Sequence, residues 1–196
     1  MVNAARDMIE KDFRFWYSTN DLAHRKNHFV DVENTALEIN RRLDLGVDPF
    51  LIMLVAWFHD LFAWSRQDHH EKSCLWVLES GYPLLNTLSK SERSMVALAC
   101  LEHRSTYSGK YSSVLSELMS AADRGNPNSS VELALERSIN YQITARGVNP
   151  VIARQDAIKH LKDKMGTNGY ARYNGLYLLA FKEEIDKFRR AIDALQ

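Results

Sequence analysis

Residues 48–61 read Asp-Pro-Phe-Leu-Ile-Met-Leu-Val-Ala-Trp-Phe-His-Asp-Leu. Asp48 followed by Pro49 is an N-cap ahead of a proline at the first helical position, where a missing N–H costs nothing. The apolar run from Phe50 to Phe58 then predicts a buried helix carrying Phe50, Leu54, Trp57, Phe58 and Leu61. It is far shorter than the ~20 residues that cross a bilayer. Near its end stand His59 and Asp60, an imidazole and a carboxylate that make poor core material unless they are satisfied or used.

The same helical period continues on both sides. Upstream, His28, Val32, Ala36, Ile39 and Leu43 step by four, four, three and four, along one face of a helix closing near Gly46. Downstream, a helix is predicted from about Gln67 to Ser80, stopped by Gly81. Ser89-Lys90-Ser91-Glu92 has capping-box spacing ahead of Met95, Leu98, Ala99 and Leu101, and Ser129 with Glu132 repeats it ahead of Leu133 and Leu135. Val114, Leu115, Leu118, Met119 and Ala122 mark a helix ending at Asp123-Arg124. Asn149-Pro150 opens another that ends at Met165-Gly166, and Leu176, Leu179, Ile185, Phe188 and Ile192 line the last. No stretch alternates strictly over five residues, so the expected fold class is all-α, a compact multi-helix bundle. Ser105–Ser113 and Arg124–Ser130 are loop-like but too short for interdomain linkers, which predicts one domain over residues 1–196.

Composition narrows the function. The chain has 196 residues, 45% hydrophobic and 26% charged, with 25 basic and 25 acidic side chains and a formal net charge of zero. That balance supplies no field toward nucleic acid or an anionic membrane, so neither is expected as a partner. Cys74 and Cys100 both lie in apolar stretches and make no disulfide framework, and the charged start lacks a signal-peptide centre, so a cytoplasmic location is expected. No G-x-S-x-G, Walker A or G-x-G-x-x-G pattern occurs, which argues against a serine nucleophile, ATP-driven work and dinucleotide redox chemistry.

Five of the seven histidines, His24, His28, His59, His69 and His70, fall in the first 70 positions. A His-Asp dipeptide alone is weak, since chance supplies about 0.5 of one in this composition. Its context is stronger: three apolar helices each present a metal-type ligand, namely His28, His59-Asp60 and Asp123. The competing structural reading is a hydrogen-bonded core histidine beside a helix-end aspartate.

This ordered set, with the apolar run before "FHDL" and the "AADR" that ends a helix, resembles the HD-domain superfamily of metal-dependent phosphohydrolases over about residues 20–130. Residues 131–196 match no pattern and are expected to pack on that core as C-terminal helices. The resemblance implies a helical bundle holding one or two divalent ions (Mn, Fe, Zn, Co or Mg) through His28, His59, Asp60 and Asp123. Such an ion would activate water against a phosphate ester or anhydride of a small molecule, best a nucleotide. Val32 and Ala36 follow His28 at the family spacing, which selects His28 over His24, four residues earlier on the same face. In two-metal members, extra histidines bind the second ion, and His70 and His103 are similar in position; each could instead contact substrate. Asp68 is the nearest candidate for positioning the attacking water, because the places three and four after the pair are Ala63 and Trp64, a departure from the nucleotidase pattern.

Arg25, Lys72, Arg104 and Arg124 flank these positions and are candidates to hold phosphate, as are Lys164 and Arg172 in the basic segment KHLKDKMGTNGYAR. Trp57, Phe58, Phe62, Trp64, Phe13, Phe15, Trp16 and Tyr17 are expected to fill the core, with one ring free to stack on a base. The rival functions are a two-metal dinucleotide or alarmone hydrolase, an HD-type mixed-valent iron oxygenase, and a non-catalytic nucleotide-sensing or interaction module. A homo-oligomer stays open.

Overall fold

The computed structural model describes residues 2–20, 26–127 and 131–196. Among them are nine α-helices and no strand: α1 (Val2–Thr19), α2 (Lys26–Arg42), α3 (Pro49–Phe58), α4 (His69–Glu79), α5 (Lys90–Glu102), α6 (Val114–Ala122), α7 (Val131–Arg146), α8 (Pro150–Met165) and α9 (Gly175–Asp193). The fold class is all-α. No helix among the described residues is long and apolar enough to cross a membrane. The chain divides into two compact units, residues 1–125 and 126–196.

In the first unit α3 is the central element, packed against α1, α2, α5 and α6, while α4 lies on α5 and α2 on α6. Sequence explains that position. Every α3 side chain from Leu51 to Phe58 is buried, so the helix is stable only where neighbours cover all its faces. Its start follows the sequence reading, with Asp48 accepting from the Phe50 N–H at 2.8 Å and Pro49 at the first turn. Its end does not. Leu61, predicted to be helical, lies in a tight turn whose bonds reach back three residues, Leu61 N–H to Phe58 at 3.2 Å and Ala63 N–H to Asp60 at 3.1 Å. His59 still closes the helix, its N–H reaching the Val55 carbonyl at 2.9 Å, and the turn begins after it and continues to Asp68.

The α5 capping box forms as its spacing predicts. The Ser89 Oγ accepts from the Glu92 N–H at 3.2 Å, and the Glu92 carboxylate accepts from the Ser89 N–H at 2.8 Å. Ser89→Ala should destabilise the unit by about 1 kcal/mol, read as a shift of the urea midpoint with unchanged slope. The second box rests on Ser129, which lies outside the described residues. The helix predicted from Gln67 begins two residues later, at His69.

The second unit holds α7, α8 and α9. Val131 and Leu135 meet Ala157, Leu161 and Ile192 in its own small core. Asn149 caps α8 by accepting from the Val151 N–H at 3.0 Å, and Pro150 occupies the first turn as expected.

Candidate metal centre

Three helix ends of the first unit place polar side chains together. His28 comes from the first turns of α2, His59 and Asp60 from the residues following α3, and Asp123 from the residue following α6. Gly125, at φ +83°, carries the chain on after α6 in the left-handed region that favours glycine. The donor atoms of these four side chains lie within 4.8 Å of one another. The His28 Nε2 is 3.3 Å from the His59 Nε2, 3.3 Å from the Asp123 Oδ1 and 3.5 Å from the Asp60 Oδ2. The His59 Nε2 is 3.5 Å from the Asp60 Oδ2 and 3.6 Å from the Asp123 Oδ1.

Those separations fit a cation. Four ligands at about 2.1 Å from a common centre stand about 3.4 Å apart in a tetrahedron, close to every edge measured here. Charge argues the same way, because two carboxylates set together, Asp60 buried and Asp123 half-buried, need a positive counterpart. Without a metal, His28 supplies it. Burial would lower its pKa, but hydrogen bonds to Asp123 and then Asp60 outweigh that and push it up to about 10. Burial would raise the Asp123 carboxyl, yet its bonds with His28 and His59 hold it below the usual carboxylate range.

A proton on His28 competes with a cation, so affinity should rise about tenfold per pH unit as long as the pH stays below the His28 pKa of about 10. Calorimetry in buffers of different ionisation enthalpy should find about one proton released per ion at pH 7. Affinity that does not change between pH 6.5 and 8.5 would contradict it.

A second group shares Asp60. Its Oδ1 lies 3.3 Å from the His69 Nε2 and 3.4 Å from the His103 Nε2, while its Oδ2 faces His28 and His59. Three of the four histidines are locked the same way: the Nδ1 of His59 meets the Ala56 carbonyl at 2.9 Å, that of His69 the Arg66 carbonyl at 3.1 Å, and that of His103 the Cys100 carbonyl at 2.7 Å. A carbonyl only accepts, so each Nδ1 carries a hydrogen and the ring turns its Nε2, the nitrogen open to a metal, toward Asp60. Burial lowers His69 to about 4, which keeps it neutral at pH 7.

His59 and Asp60 are buried, whereas the side chains of His28 and Asp123 are each 20% exposed, so solvent reaches the first group from their side. Behind His59, Phe29 sets an edge against the ring at 5.9 Å and stacks on Trp57 at 6.1 Å. The indole N–H of Trp57 donates to the Glu33 carboxylate at 2.8 Å, which also pairs with Arg6 of α1. Two acceptors at the end of α3 are met from α1 as well: the Tyr17 hydroxyl donates to the Trp57 carbonyl at 3.0 Å, and the Asn20 amide to the Asp60 carbonyl at 3.4 Å.

The structure thus brings together His28, His59, Asp60 and Asp123, and adds His103 with His69. His70 is in neither group; it stands beside Arg104 and His103, and burial lowers its pKa. The exchange of His69 for His70 has a simple cause. One residue on a helix turns the side chain by about 100°, so the residue at which α4 begins decides which imidazole meets Asp60. Asp68 is also outside both groups; its carboxylate accepts from the Ser65 hydroxyl and pairs with Lys72 at 3.1 Å. Lys72 donates to the Ser65 Oγ at 2.7 Å, and Arg104 to the Gln67 carbonyl at 3.1 Å. Arg124 directly follows Asp123 and is half-buried. His24 and Arg25 lie outside the described residues. Lys164 is in the last turn of α8 and Arg172 in the stretch before α9, both in the second unit.

The sequence reading did not single out His69 as a ligand or Glu33 as a buried carboxylate. No family model matches the chain, and neither the curated proteins nor the solved structures give a match.

Proposed function

We propose that this chain is an HD-type metal-dependent phosphohydrolase that cleaves a phosphate ester or anhydride of a small molecule, with a nucleotide as the preferred substrate. One observation carries the reading: four donors from three helix ends, two imidazole and two carboxylate, separated by the edge lengths of a metal coordination shell. A divalent ion held there would lower the pKa of bound water and offset charge on the phosphoryl group. His59 and Asp60, buried and fixed from behind, keep the donor geometry from relaxing. His28 and Asp123 stand at the solvent side, where a phosphate would enter. In this reading Arg124, the residue after Asp123, would bind that phosphate, with Lys72 and Arg104 joining it from the His69 side.

A second reading is favoured by the two faces of Asp60. With Oδ1 turned to His69 and His103, this carboxylate would help hold a second ion beside the first, as a dinucleotide or alarmone hydrolase would use it. Phosphate release from a panel of mono-, di- and dinucleoside phosphates, with added Mn, Fe, Co, Zn or Mg, tests both. Selective release that EDTA abolishes supports the hydrolase. Tight nucleotide binding with no release under any ion would favour the sensing module instead. His69→Ala should halve the bound metal if two ions are held and leave it at one if a single ion is held.

A further inference from the structure

The turn from Leu61 to Asp68 is pinned to the metal centre at both ends, since Asp60 precedes it and His69 follows it, and their side chains meet at 3.3 Å. Its backbone is tightly bonded, with Ser65 N–H to Phe62 at 2.8 Å, Asp68 N–H to Ser65 at 3.1 Å and His69 N–H to Ser65 at 2.9 Å. Leu61 and Ala63 point into the core. Trp64 does not: it is 56% exposed, an unusual placement for the residue type that offers most apolar area. Its ring contacts Phe62 edge-on at 6.4 Å, and Phe62 contacts Trp16, itself 39% exposed, at 5.8 Å. From the sequence most of these rings were expected in the core, with one free to stack, and Trp64 and Trp16 are the indoles that stand outside it. For Trp64 the cause is the end of α3 at Phe58, after which the turn, not a helix, sets its direction.

A cation stands beside this ridge. The Lys72 Nζ is 4.9 Å from the centre of the Trp64 ring and lies three residues after His69, on the adjoining part of the same helix face. The neighbours therefore run from a metal-type ligand, His69, to an ammonium, Lys72, to an indole, Trp64. Trp64 is four residues from Asp60, so its Cα is at most about 14 Å away. A ligand with phosphate at one end and a flat ring at the other matches that order in charge and shape.

We propose that Trp64 is the platform on which the planar ring of the phosphorylated substrate stacks, with Lys72 holding the phosphate-bearing side. The proposal rests on the phosphohydrolase reading for its substrate, but not for its test. The stack selects substrates by ring, and Lys72 does not.

The probes are the 5′-phosphonates of adenosine and of ribose, whose C–P bond metal-activated water does not cleave. Calorimetric binding to the full chain with manganese present should favour the adenosine compound by about tenfold or more, the usual yield of one base stacked on an aromatic ring. Trp64→Ala should reduce that preference to about threefold or less while leaving the ribose compound unaffected, and Trp64→Phe should retain much of it. Lys72→Met should weaken both ligands by the same factor. Unchanged thermal melting of the exposed-site variants shows that the fold is intact. A preference that survives Trp64→Ala, or no preference in the unaltered protein, overturns the proposal. Failure of the hydrolase reading shows separately, as absence of phosphate release with every ion.

Discussion

Asp60→Ala should lower metal-dependent phosphate release by about a thousandfold or more, a larger loss than any other single substitution in the site should give. The reason is its double use. Its Oδ2 completes the group with His28, His59 and Asp123, and its Oδ1 is the only carboxylate oxygen in the group with His69 and His103. Removing it leaves one carboxylate where there were two and deprives the second group of charge altogether. Asp60→Asn keeps the shape and one oxygen donor, so it should retain part of the bound metal and still lose most of the activity. Elemental analysis separates the two variants, and circular dichroism confirms that both remain helical. Activity within tenfold of the unaltered protein in Asp60→Ala would remove the carboxylate from the mechanism.

The second large effect is on stability. Glu33→Ala should cost about 2–4 kcal/mol, because it strands two donors at once: the fully buried Trp57 indole N–H and the guanidinium of Arg6. The Glu33 side chain is 3% exposed and that of Arg6 30%, so part of the Arg6 penalty is returned by solvent. Glu33→Gln should cost less, since an amide oxygen can still accept from Trp57. Urea denaturation measures the difference. Metal affinity should fall along with stability in Glu33→Ala, since Trp57 and Phe29 form the wall behind His59. A loss below about 0.5 kcal/mol would mean that the Arg6–Glu33–Trp57 contact does not hold α1 to the centre.

The helices were legible because their signals are local. Asp48-Pro49, Ser89 with Glu92, and Asn149-Pro150 each satisfy backbone donors within a few residues, so spacing alone predicts the start. His28, His59, Asp60 and Asp123 were legible as candidates because each sits on an apolar helix end. What failed was finer. His69 and His70 are neighbours of identical chemistry, and only the first residue of α4, set by tertiary packing, separates them. Glu33 carried no signal in the sequence, because its partners, Arg6 and Trp57, are 27 and 24 residues away. Asp68 and Lys72 were read as site residues from proximity in sequence, yet they first satisfy each other and Ser65. Trp64 was assigned to the core by a helical period that stops six residues before it.

The most direct test of the metal centre is crystallographic: anomalous diffraction at the manganese edge from crystals grown with that ion. The account predicts a peak about 2.1 Å from the His28 Nε2, the His59 Nε2, the Asp60 Oδ2 and the Asp123 Oδ1, lost in Asp60→Ala. Unaltered protein that shows no peak among these four side chains, with His28 still paired to Asp60 and Asp123, would contradict it.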